Sequence, residues 1–106
     1  MISAMTEKDE TQNSLFYSAV VSLKKEDECR RFFEELCSPQ ELETIVQRFE
    51  IASMLKSGSN YQEICGSTGA STATVCRVKK AMTAEDGAVR SALERAKRRH
   101  PGKSGK

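Results

Sequence analysis

The 106-residue sequence contains no tryptophan, a single histidine and only two prolines. It also lacks any run of about 18 apolar residues, the length that a membrane-spanning helix needs, so we expect no membrane span. Six glycines and two prolines are too few for a collagen-like or low-complexity chain. A chain of this length fits one domain, because domains commonly contain about 100 to 150 residues.

Signals for export and for metal binding are missing as well. The first residues, MISAMTEK, lack the basic region and apolar run of a secretory signal, so we expect a cytoplasmic protein. The cysteines, Cys29, Cys37, Cys65 and Cys76, form no C-x-x-C pair and match no zinc-finger spacing. The only histidine, His100, precedes a tail of basic and small residues. We therefore expect free thiols and no metal site.

Catalytic signatures are equally scarce. The sequence has no Gly-rich phosphate-binding loop and no metal-binding pair of residues. No cysteine or serine has a neighbouring pattern that supplies an activating base, which disfavours an enzyme. RNA binding is also disfavoured, because the usual aromatic platforms for bases are absent.

Charge is unevenly distributed, although the net charge is only +2. Residues 1–57 carry 7 basic and 11 acidic side chains, a charge of −4. Residues 58–106 carry 10 basic and 4 acidic side chains, a charge of +6. A basic half of this kind favours a polyanionic partner.

Apolar residues recur at helical spacing through most of the chain, and no stretch alternates as a strand would. We therefore expect an all-α protein of six helices. Residues 1–12 are polar and are expected to be flexible, residues 13–100 to form one helical domain, and residues 101–106 to be a basic tail. Apolar stripes near residues 15–23 and 29–36 predict two amphipathic helices, each with one buried face.

The third and fourth helices have recognisable starts. The sequence Ser38-Pro39-Gln40-Glu41 places serine at the N-cap, proline at the first helical position and glutamate at N3, the pattern of a capping box. Gly58 suits the left-handed position after that helix ends. Asn60 and Glu63 have the same spacing at the next helix. The apolar face of the third helix is expected to comprise Leu42, Ile45, Val46, Phe49, Ala52 and Leu55.

Residues 61–82 have the pattern of a DNA-binding helix-turn-helix. Such a motif needs a small residue in the first helix, so that the second helix can approach closely, and Cys65 is that residue. It also needs a turn residue that tolerates left-handed geometry, and Gly69 follows four positions later. Apolar anchors are present on both helices, at Ile64, Val75 and Val78.

The candidate DNA-contacting residues lie on the front of the second helix, at its later lysines and near the start of the first helix. They are Gln62, Ser71, Thr72, Ala73, Thr74, Cys76, Arg77, Lys79 and Lys80. Small residues let the start of a helix enter the major groove, where hydroxyl and methyl groups contact bases and lysines contact phosphates. The alternative is that Ser71 and Thr72 only cap the helix and that the basic residues form an ordinary solvated face.

The stretch from Cys37 to Met82 resembles the tryptophan repressor family, in particular its Trp-repressor-related bacterial branch. The resemblance rests on the Ser38–Glu41 start, the Gln47-Arg48 pair, the Leu55–Gly58 end and the Thr68–Val75 turn. It implies an intertwined homodimer with one DNA-binding helix-turn-helix in each subunit. Its function would be sequence-specific regulation of transcription, as a repressor that binds a near-palindromic operator in double-stranded DNA. The alternative is a helical dimer that acts as a protein-binding scaffold.

The resemblance also points to a ligand pocket, where this sequence departs from the family. Two arginines hold tryptophan in the repressor, and Arg48 and Arg77 match them; with Ser38 they are the candidate pocket residues. The family's glycine after the second arginine is Val78 here, and the serine that binds the ligand's amino group is Ala81. An unpaired buried amine costs about 1–3 kcal/mol, so we expect no tight tryptophan binding and no cofactor.

Overall fold

The computed structural model describes residues 7–83 and 87–100, and this part of the chain contains six α-helices and no strand. In chain order they are α1 (Glu7–Ser22), α2 (Glu26–Leu36), α3 (Pro39–Lys56), α4 (Tyr61–Thr68), α5 (Thr72–Ala81) and α6 (Ala88–Arg99). The all-α, six-helix prediction is therefore confirmed.

The first helix begins earlier than the sequence suggested. Residues 1–12 were expected to be flexible, yet α1 begins at Glu7. Its first turns alternate good helix formers, glutamate, lysine and glutamine, with the weaker formers Asp9, Thr11 and Asn13, so helix is possible there without an apolar pattern. Residues 1–6 and the predicted basic tail, 101–106, lie outside the described residues.

Contacts divide the chain into two compact units, Met1–Leu42 and Glu43–Lys106, and the expectation of one helical domain at 13–100 stays a prediction. In the first unit, the rings of Phe16 and Phe32 lie 6.2 Å apart and join α1 to α2. The prediction of one buried face per helix is wrong for the single chain, because α2 has no buried residue and Leu15 of α1 is 65% exposed. Two helices alone offer too little surface to cover both apolar stripes.

The second unit contains the buried core, to which α3, α4, α5 and α6 each contribute. Its members are Ile51, Ala52, Ile64, Val75, Val78, Met82 and Leu93. Three of these side chains, those of Ile51, Ile64 and Val75, have no exposed surface. They come from three different helices, so the packing of α4 and α5 onto α3 fixes the position of the helix-turn-helix.

The predicted apolar face of α3 is only partly buried. Ala52 lies in the core and Leu55 packs against it, but Ile45, Val46 and Phe49 are exposed. The sequence analysis also missed Ile51, which is fully buried one position away from the predicted face. The core covers only the last turns of α3, and the earlier part of its apolar face meets solvent in the single chain.

The predicted helix starts are confirmed. The Ser38 backbone N–H donates to Glu41 Oε1 at 2.8 Å, and the Glu41 N–H donates to Ser38 Oγ at 3.1 Å. Asn60 and Glu63 form the same reciprocal pair at α4. Gly58 has a φ of 94°, the left-handed conformation expected after α3.

Replacement of Ile64 by alanine tests the role of this core. Because the side chain is fully buried, Ile64→Ala should lower the free energy of unfolding by about 2–5 kcal/mol. Ser67→Ala changes an exposed position of the same helix and should shift it by less than about 0.5 kcal/mol. Urea denaturation measures both values, and an equal effect of the two changes would contradict this assignment of the core.

Candidate nucleic-acid interface

A three-residue turn, Gly69 to Ser71, joins α4 to α5. Gly69 has a φ of 80°, and its N–H donates to the Cys65 carbonyl at 2.9 Å to close α4. Left-handed backbone is costly for residues with a Cβ, so glycine is the residue suited to this position. The predicted turn residue is thus found with the conformation that a helix-turn-helix needs.

Two residues that the sequence analysis did not select hold the turn in place. Thr68 Oγ1 donates to the Ile64 carbonyl at 2.8 Å and accepts from the Ala70 N–H at 3.1 Å. Gln47 of α3 donates from Nε2 to the Thr68 carbonyl at 3.0 Å. These bonds satisfy backbone groups at the end of α4 and tie the turn to α3. The Gln47-Arg48 pair was noted in the sequence, but its spacing to Thr68 gave no signal.

The start of α5 is capped by its own side chains. Ser71 is the N-cap, and its Oγ accepts from the Thr74 N–H at 3.2 Å and lies 3.1 Å from Thr74 Oγ1. Thr74 is half-buried. The capping role considered for Ser71 is therefore present, whereas Thr72 is exposed at the first helical position.

The two faces of α5 differ in character. Val75 and Val78 are buried, as expected of anchors beneath the helix. The remaining candidates on this helix are exposed, and they are Thr72, Ala73, Cys76, Arg77, Lys79 and Lys80. Gln62, the second residue of α4, is exposed as well. The exposed face thus combines small residues near the start of the helix with positive charge near its end.

Tyr61 links the two helices of the motif, although the sequence analysis did not single it out. The Lys79 ammonium lies 5.6 Å from the centre of the Tyr61 ring, within the range of a cation–π contact. Partial burial raises the pKa of the Tyr61 phenol, and the negative charge of the neighbouring Cys76 thiolate and its hydrogen bonding raise it further. The Lys79 ammonium is therefore held against α4 while the residue remains exposed.

The candidate ligand-pocket residues have different surroundings. Ser38 is occupied by the capping box of α3. Arg48 of α3 and Arg77 of α5 are both exposed. Val78 fills core volume with the other buried side chains, whereas Ala81 is exposed.

Other classes of site have little support in the part of the chain that the structure describes. No group of three histidine, cysteine or acidic side chains there is placed to hold a metal ion. None of the helices described is both long and apolar enough to cross a membrane. The four cysteines are free thiols, of which Cys76 is exposed.

Known proteins show the same sequence pattern and fold. Residues 6–97 match the model of the Trp repressor protein family. The uncharacterized protein YerC of Bacillus subtilis (strain 168) is 43% identical over 81 residues, which cover 76% of this chain and 78% of YerC.

Two crystal structures are also similar. A TrpR-like protein from Eubacterium eligens ATCC 27750 has a TM-score of 0.72 and 36% identity, over 86% of this chain and 90% of that one. A proposed Trp repressor from Staphylococcus aureus has a TM-score of 0.75 and 30% identity, over 87% of this chain and 95% of that one.

Two glycines of α4 and its turn provide a matched test of the turn geometry. A Cβ at Gly66 or at Gly69 would meet no atom within 4 Å, so only backbone conformation distinguishes the two positions. Gly69→Ala should lower the free energy of unfolding by about 1–2 kcal/mol, because its φ is positive. Gly66→Ala, inside the helix, should raise it by about 0.5–1 kcal/mol. Urea denaturation of both variants checks the sign, and equal shifts would contradict the left-handed turn.

Proposed function

The chain belongs to the Trp repressor family, and from this premise we propose that it is a sequence-specific DNA-binding regulator of transcription, a repressor rather than an enzyme. The exposed face of α5 carries this proposal. Helix-turn-helix proteins place the start of their second helix in the major groove. Here that start offers Thr72 and Ala73, whose small side chains allow the backbone to approach the bases.

The positive charges on the exposed face of α5 favour binding to a DNA duplex. Arg77, Lys79 and Lys80 are exposed on α5, and the two lysines lie in its last turn. Cations in this position contact phosphates and supply affinity that falls with salt. Thr72, Ala73 and Cys76 supply the uncharged surface that reads bases. Base choice and affinity thus come from different side chains of the same helix.

We propose further that the protein acts as a homodimer. In the first unit Leu15, Val21 and Leu36 are exposed, and in the second unit Ile45, Val46 and Phe49 are exposed. Exposed apolar side chains in this number are unusual for a monomer and suit contact with a second copy. A two-fold dimer places its two reading helices about 34 Å apart, one turn of the duplex, so the operator is a near-palindrome.

The sequence departs from the repressor family at the positions that hold tryptophan. Val78 adds a branched side chain and is part of the core, where the family has glycine. Ala81 has no hydroxyl to accept a hydrogen bond from the ligand's amino group. We propose that the protein does not use tryptophan as a corepressor.

Substitutions on α5 should separate base reading from phosphate contact. Thr72→Ala should weaken binding to the preferred DNA by about 5- to 150-fold, the effect of about 1–3 kcal/mol per base contact, and should leave non-specific binding unchanged. Lys80→Gln should weaken binding to all sequences and reduce the slope of log affinity against log salt by about 1. Gel-shift assays over a salt series, on genomic fragments recovered by the protein, measure both effects.

Lys24→Gln is the matched control, since it removes the same charge from an exposed position between α1 and α2. It should change neither the affinity nor the salt slope. Sedimentation analysis should show that all three variants remain dimers. Binding that ignores sequence at every salt concentration would contradict the proposal. Loss of a protein partner without loss of DNA binding in the α5 variants would favour the scaffold alternative.

Calorimetric titration tests the proposal about tryptophan. A missing partner for a buried amine costs about 1–3 kcal/mol, and Val78 occupies core volume, so L-tryptophan should give no saturable heat in the micromolar range. The affinity for the preferred DNA should likewise be the same with and without tryptophan. Micromolar tryptophan binding, or a tryptophan-dependent gain in DNA affinity, would contradict it.

A further inference from the structure

A cavity of about 460 Å³ lies beside the helix-turn-helix, at the end of α5 opposite the proposed base-reading residues. It is lined by the last residues of α3, the segment 58–60, the start of α4, the end of α5 and Arg90 of α6. Its volume is within the range of small-molecule sites, about 300–1,000 Å³. The sequence analysis assigned no role to this region, apart from the DNA contact proposed for Lys79.

Three cationic side chains line this cavity, and none of the described residues that line it is acidic. They are those of Lys56, Lys79 and Arg90, which come from three different helices. Convergence of three like charges costs free energy unless an anion offsets it. The start of α4 also lines the cavity, where the helix dipole favours negative charge, and the Glu63 carboxylate of the capping box already accepts from the Asn60 N–H.

Within the described part of the chain, each cation is oriented by one contact. Arg90 donates one bond, from Nη2 to the Met82 carbonyl at 3.0 Å, and a guanidinium has five donors. The Lys79 ammonium is held over the Tyr61 ring. Lys56 Nζ lies 3.9 Å from a carboxylate oxygen of Glu94, which is half-exposed, so this ion pair is long and weak. Lys56 thus has a distant carboxylate partner, whereas no ion pair of Lys79 or Arg90 is found within residues 7–83 and 87–100.

A purely structural role accounts for only part of this arrangement. Lys56 and Lys79 lie in the last turns of α3 and α5, where positive charge stabilises a helix end. Arg90 caps a carbonyl at the end of α5. Such roles do not require the three side chains to line one cavity. We propose that the cavity binds a phosphate group, carried either by a free anion or by the DNA backbone.

Titration of the full-length protein with inorganic phosphate tests the site without DNA. At constant ionic strength, held with sodium chloride, the backbone amides of Ser59 and Asn60 should show saturable NMR shifts. Arg90→Gln should weaken this binding about tenfold, the effect of losing one charge-assisted hydrogen bond. Arg98→Gln, which removes the same charge from an exposed position of α6, should leave it unchanged. Lys56→Gln provides a second site variant that keeps the Arg90–Met82 bond.

Salt-dependent DNA binding identifies the source of the phosphate group. If the DNA backbone occupies the cavity, Arg90→Gln reduces the salt slope by about 1 relative to Arg98→Gln. If a free anion occupies it, the phosphate shifts saturate and the slope is unchanged. Shifts that do not saturate, or equal effects of Arg90→Gln and Arg98→Gln in both assays, would overturn the proposal. The phosphate titration involves no DNA, so its failure is distinct from failure of the proposed function.

Discussion

The structure depends on the close packing of α4 against α5 across a glycine turn. Ile64 and Val75 are fully buried on the facing sides of these helices. They reach each other because Gly69 adopts a φ of 80° and turns the chain within three residues. Burial of two such side chains contributes about 3–6 kcal/mol, which is enough to fix the orientation of a short helix. The exposed face of α5 follows from this packing.

Polar contacts refine the position that the apolar packing sets. Gln47 and Thr68 satisfy backbone groups at the turn, and Tyr61 at the start of α4 contacts Lys79 of α5. As a result, α5 is held at both ends while one of its faces stays open. The proposed base-reading residues lie toward the start of this helix, and the proposed phosphate cavity lies at its end. In our account, a single packing arrangement thus supports both proposals.

Local features of the structure could be predicted from the sequence, and long-range ones could not. The capping box at Ser38 and the left-handed Gly69 depend on neighbours within four residues, and both were predicted. The contact of Lys79 with Tyr61 joins residues 18 positions apart and left no local pattern. The exposure of Val46 was also missed. An apolar stripe shows that a helix face is suited to burial, but it does not show whether the residues that bury it belong to the same chain. The DNA-contacting role of α5 stays a prediction.

Selection from a pool of random DNA duplexes tests whether the protein recognises a specific sequence. The full-length protein is mixed with the pool at physiological salt, and the retained DNA is sequenced over successive rounds. We expect enrichment of one near-palindromic motif whose half-sites are centred about 10 base pairs apart, one duplex turn. A retained pool with no enriched motif, from a protein shown to be folded, would contradict it.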